Sequence, residues 1–107
     1  MLCLKLCAGE SARLHSVGEL FIRLVHRKTA LVDWHCFDSD VKVQRYGNLL
    51  TVHSRDLTLL QGDVLEIAPE IKIHVNRIKG CTTVSLGIVA PLSIRVTRPS
   101  QQPTIAG

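Results

Sequence analysis

Aromatic residues are scarce. Phe21, Trp34, Phe37 and Tyr46 make up 4% of the 107 residues, which argues against a base-stacking platform like that of an RRM or OB fold. Cys3, Cys7, Cys36 and Cys81 contain no C-x-x-C pair, and His15, His26, His35, His53 and His74 are scattered without H-x-x-x-H spacing. Reduced thiols are therefore expected, with no metal and no cofactor. No apolar run approaches the ~20 residues that span a bilayer. The opening Met1 to Cys7 is too short and wrongly flanked for a signal peptide, so no membrane association and a cytoplasmic protein are expected. No G-x-S-x-G, P-loop or Rossmann fingerprint occurs. Asp33, Asp38 and Asp40 lie near His35, but Asp38-Ser39-Asp40 carries turn chemistry, and the chain reads as a non-enzyme.

What is present points to strands. Apolar residues reach 46% and charged residues 21%, ordinary values for a chain that buries a core. The apolar and hydroxyl residues are weighted towards β-branching, with 11 Val, 8 Ile and 7 Thr against 6 Ala. Stiff side chains of that kind suit a pleated surface, and no segment has convincing helical periodicity. An all-β fold with little or no helix is predicted. Thirteen Lys+Arg against nine Asp+Glu give a formal charge of +4 and a pI near 9.1, a balance that favours polyanionic partners.

The alternation predicts five short strands per half. In the first half they run Leu2 to Leu6, Ala12 to Leu14, Leu20 to Val25, Ala30 to Phe37 and Val41 to Val43. In the second they run Leu57 to Leu60, Val64 to Ile67, Ile71 to Val75, Thr83 to Val89 and Ile94 to Val96, the last three at hairpin spacing. Sliding the chain against itself gives one ungapped offset, 53 residues, that places Gly9-Glu10 on Gly62-Asp63 and Val41 to Arg45 on Ile94 to Arg98. This divides the chain into 1–46, a connector over 47–54, a second copy over 55–98 and a loose tail over 99–107. Leu49 to His53 competes with Leu57 to Leu60 for the second copy's opening strand; the latter needs no insertion. Neither half has much core alone, so the two should pack on or interleave with each other as one compact unit.

Gly62 to Ile67, Ile78-Lys79-Gly80, Val84 to Pro91 and Ile94 to Arg98 together resemble the carbon storage regulator family (CsrA/RsmA). The Lys-Gly turn, the Leu86-Gly87-Ile88-Val89-Ala90-Pro91 segment and the terminal Val96-Thr97-Arg98 are its most specific pieces. Met1 to Leu4 with Gly9-Glu10-Ser11 is similar to the family's opening, making the first half a more degenerate copy. The resemblance implies two five-stranded repeats in one chain forming an intertwined pseudo-dimer with swapped first and last strands. It further implies a monomeric, RNA-binding translational regulator that reads unpaired GGA in mRNA hairpin loops. One RNA site would join Leu4, Lys5, Leu6 and Cys7 with Ile94 to Arg98, including Arg95, Val96 and Arg98. The other would join Leu57, Thr58, Leu59 and Leu60 with Val41 to Arg45, including Lys42, Val43 and Arg45.

Arg45 and Arg98 are the leading candidates, because a strand-end guanidinium can grip phosphate or a guanine edge while nearby backbone groups read the base. The alternative role for each is an edge charge that deters aggregation. Where the family's first strand ends in paired arginines, this chain has Leu6-Cys7 and Leu59-Leu60, and losing those phosphate contacts lowers the expected affinity. Tyr46 and Pro99 replace the acidic residue that follows the terminal arginine, and Gly47 and Pro99 oppose the helix expected next. The second reading is therefore a degenerate paralogue that acts through protein contact, for example with an intact member of the family. Cys3 and Cys7 read as small buried hydrophobes. Phe21, Trp34 and Phe37, aligned with His74, Gly87 and Ala90, read as core filler or a partner surface.

Overall fold

The computed structural model describes residues 2–36, 40–80 and 82–98. Among them the elements are all strands: β1 (Leu2–Cys7), β2 (Ser11–Leu14), β3 (Gly18–His26), β4 (Thr29–His35), β5 (Asp40–Arg45), β6 (Asn48–His53), β7 (Leu57–Leu60), β8 (Val64–Ala68), β9 (Ile71–Lys79), β10 (Thr83–Val89) and β11 (Val96–Thr97). The fold is all-β, as the β-branched composition requires. No helix among the described residues is long and apolar enough to cross a membrane.

The strands form two antiparallel sheets, one ordered β1-β10-β9-β8-β5-β6 and the other β11-β2-β3-β4-β7. Each sheet takes its middle three strands from one half of the chain and its flanking strands from the other. Strands β2 to β4 lie between β11 and β7, whereas β8 to β10 lie between β5 and β1. Alternation turns one side of each strand inward: Leu20, Ile22 and Val25 from β3 meet Ile73, Val75 and Ile78 from β9 in a single buried cluster. Removing that apolar surface from water is the main favourable term in folding. Splitting the halves would expose a face of each sheet.

Local geometry repeats at the 53-residue spacing. Pairing of β3 with β4 skips Arg23, between Ile22↔Val32 and Leu24↔Leu31. Pairing of β9 with β10 skips Asn76, between Val75↔Leu86 and Arg77↔Ser85. Gly9 N donates to Ile22 O at 2.7 Å and Gly62 N to Val75 O at 2.8 Å, while Ile22 N donates to Glu10 O and Val75 N to Asp63 O.

Several expectations are corrected. The offset is not ungapped: His26↔Thr29 leaves two turn residues, whereas Lys79↔Thr83 leaves three. Past that turn β4 and β10 run 54 apart, and the counterpart of Trp34 is Ile88, not Gly87: Trp34 lies opposite Leu20 and Ile88 opposite Ile73. The larger indole fits because Gly18 leaves room; a Cβ there would lie 2.7 Å from Trp34 Cζ2 and 2.6 Å from His35 O. The 47–54 connector contains a full strand, β6, joined to β5 by Tyr46 and Gly47, both at positive φ (50° and 81°) as a type I′ hairpin turn demands. The last strand is Val96–Thr97 rather than Ile94 to Val96, and it leaves β10 to pair with β2 in the opposite sheet. Val96 faces Leu14 while Val43 faces Leu65, so β11 sits two residues out of the register its counterpart β5 would set. Cys3 and Cys7 are exposed, because they occupy the outward side of β1 while Leu6 takes the inward one. The expected strand end at Phe37, and Asp38, Cys81 and the 99–107 tail, lie outside the described residues.

Candidate nucleic-acid interface

The predicted site residues fall at two corners where a strand of one sheet meets an edge strand of the other. At the first, β1 is the outermost strand of its sheet and β11 of the other. Arg98, just past β11, closes the gap: its Nη2 donates to Lys5 O at 2.9 Å. Lys5 and Arg95 are exposed, Leu4 and Val96 half-buried. His15 fastens the short β11, its N donating to Arg95 O at 2.9 Å and its Nε2 lying 3.0 Å from Thr97 Oγ1. Thr97 also lies opposite Arg13, a cation the sequence reading did not single out; Arg13 Nη2 is 3.4 Å from Glu19 Oε1. Among the described residues, the outer side of each of these strands has no ladder partner for its main-chain N–H and C=O groups.

The second corner joins β7 with β5 by the matching contact. Arg45 Nη2 donates to Thr58 O at 2.8 Å; Arg45 lies 53 residues before Arg98, and Thr58 lies 53 residues after Lys5. The surroundings differ. Arg45 Nη2 and Nε also reach Asp63 Oδ2, at 2.7 and 3.1 Å, with Nε 3.1 Å from Oδ1. The Asp63 carboxylate is 3% exposed and accepts a further bond from Leu60 N at 2.8 Å. Bonding to Asp63 holds the Arg45 guanidinium above its ordinary pKa, against the opposing effect of burial. Arg45 is thus engaged inside the fold. Lys42 is exposed and lies opposite Glu66 on one side and Thr51 on the other. Val43 and Leu57 are core residues, 2% and 4% exposed; only their main chain is at a strand surface. Thr58 is exposed.

Sequence reasoning aligned Gly9-Glu10 with Gly62-Asp63 without giving the acid a task. In the fold each acid caps the end of an outer strand: Cys7 N donates to Glu10 Oε1 at 2.7 Å, as Leu60 N does to Asp63. An acidic residue three positions after a strand and next to a turn glycine was the available signal. At the positions of the missing arginines, Leu6 is 0% and Leu59 1% exposed, whereas Cys7 is exposed and Leu60 half-buried. Burial at Leu6 and Leu59 leaves no water for a charged head group.

Asp33 accepts from Asp56 N at 2.8 Å and lies 3.7 Å from Arg23 Nε, and Arg23 also bonds Asp56, so these charges tie the β3 bulge to the approach to β7. Among the described residues no group of three His, Cys, Asp or Glu side chains is placed to hold a metal ion. Comparison of the chain with protein-family models, curated proteins and solved structures finds no match.

Proposed function

We propose that the chain is an RNA-binding post-transcriptional regulator, built as a pseudo-dimer of two carbon-storage-regulator-like repeats and recognising short single-stranded GGA-type motifs in mRNA. One observation carries the reading: Arg98 reaches the main chain of Lys5 across the gap between two sheets, bringing two open strand edges and the exposed Lys5 and Arg95 to one corner. Cations there attract phosphate, and unladdered main-chain groups supply donors and acceptors for an unpaired base. Nothing in this chemistry is covalent; occupancy of the transcript is the output.

The test is titration of the purified chain with a GGA hairpin and a scrambled loop at physiological salt, repeated with Arg98→Ala. The reading expects tighter binding to GGA, a loss of about tenfold or more in the variant, and loss of discrimination with it. Equal, weak, salt-sensitive binding to both loops would favour the second reading, a protein-contact role. Leu49 and Leu50, 53% and 40% exposed on the outermost strand β6, favour that alternative.

A further inference from the structure

We infer that only one of the two corners takes RNA, so that each chain is monovalent: the β1/β11 corner binds, and the β5/β7 corner is closed. The inference rests on the RNA reading above and restricts it to one site. Three observations separate the corners. First, β5 has no open edge. It pairs with β8 through Lys42, Val43 and Gln44, and with β6 from Asp40 to Arg45, so main-chain groups on both its sides are committed to ladders. Among the described residues, strand β11 pairs with β2 alone. A base approaching β5 would have to displace β6, a six-residue strand whose Val52 packs against the core.

Second, Arg45 Nε and Nη2 already have acceptors in Thr58 O and the buried Asp63 carboxylate. Turning it towards phosphate would strand a buried anion, the costly half of breaking such a pair. Third, the flanking charge is reversed. Beside β11 the neighbouring strand presents Arg13, whereas beside β5 it presents Glu66, which sits between Lys42 and Lys72 in the register. The opening strands differ in the same sense, with Lys5 at the first corner where the second has Thr58. Arg13 is matched by Glu19, so the difference rests on the exposed Lys5 and Arg95 at the first corner, against Lys42 facing Glu66 at the second.

Monovalence has a measurable consequence. A two-site binder grips an RNA carrying two motifs by making the second contact intramolecular, and gains about 10²-fold or more in affinity. This chain should gain no more than the twofold statistical factor. The experiment titrates the full-length chain with a one-motif GGA hairpin and with an RNA carrying two such hairpins on a flexible linker, reading mass and stoichiometry by native mass spectrometry and affinity by calorimetry. Expected results are one hairpin per chain, two chains on the double-motif RNA, and per-motif affinities within about twofold. Lys5→Ala, whose exposed side chain leaves the core untouched, and Arg98→Ala should each weaken all of the binding. Two hairpins per chain, a tightening of 10²-fold on the double-motif RNA, or half the sites surviving in both variants would overturn the inference while leaving the RNA reading intact. Failure to prefer GGA over a scrambled loop at any stoichiometry would overturn the RNA reading and the inference together.

Discussion

Arg45 closes on Asp63 with two nitrogens, the shortest contact being 2.7 Å, and the carboxylate it neutralises is among the few buried polar side chains of the protein. Its counterpart in the other half, Arg98, bonds the Lys5 carbonyl as Arg45 bonds that of Thr58, but among the described residues it has no carboxylate partner. Matching positions therefore have unequal tasks, and their substitutions should separate stability from binding.

Arg45→Ala leaves the Asp63 carboxylate with its Leu60 N–H but without its cation. A loss of roughly 3 kcal/mol is expected, at the low end for breaking a fully buried pair because Arg45 is itself partly exposed. Arg98→Ala removes one hydrogen bond and should cost about 1 kcal/mol or less. Urea denaturation of the two variants beside the parent chain checks the difference.

Trp34 and Gly18 form a second test. Adding a methyl group at Gly18 meets the indole and the His35 carbonyl, so Gly18→Ala should cost roughly 1–3 kcal/mol by overpacking. Trp34→Ile, the residue found at the matching position 88, should lose roughly 3 kcal/mol through the cavity it leaves. In the double variant the penalty at position 18 should fall without vanishing, since the His35 carbonyl stays in place. The cycle is read from the midpoints of thermal unfolding.

Glu19 predicts a pH dependence. Its hydrogen bond from Ser11 Oγ, 2.5 Å, and the nearby Arg13 hold its carboxyl below the ordinary value of 4.5, against the upward push of burial. A depressed folded-state pKa contributes stability that is fully present above about pH 4.5 and is lost as pH falls through the folded value. The stability difference between the parent chain and Glu19→Gln should therefore be largest near neutrality and shrink towards pH 3. Denaturation midpoints across that interval measure it.

Strand β6 has no charged residue in Asn48–His53, and its outermost position leaves Leu49 and Leu50 exposed. Uncharged, apolar edges template pairing with other chains. Leu49→Lys, on the outward face, should leave unfolding free energy within about 0.5 kcal/mol and raise the temperature at which light scattering begins during heating.

The strand plan was legible because it depends on local pattern. Alternation in Ile71 to Val75 and the turn at Lys79-Gly80 specify a strand and a reversal whatever surrounds them, and the strands observed there bear this out. The 53-residue spacing was visible in Gly9-Glu10 and Gly62-Asp63, whose bonds repeat. Other features had no such signature. Leu49 to His53 read as connector or rival strand because its pattern does not say which neighbour it joins. The partner of Arg45 was hidden by the eighteen residues separating it from Asp63. Cys3 and Cys7 were misjudged because small apolar residues on an edge strand have the same alternation whether the face they share is covered or bare.

Local pattern alone was enough for the all-β class, for most strand positions apart from β6 and β11, and for the net positive charge, since β-branching, period-two alternation and charge act residue by residue. It took the assembled fold to set that each sheet borrows its flanking strands from the opposite half, that β6 lies beside β5 whereas β11 has only β2 beside it among the described residues, and that Arg45 holds Asp63 as well as Thr58 while Arg98 spans to Lys5. Those outcomes depend on which edges come together when both halves bury their apolar faces at once, a global condition that no short segment encodes.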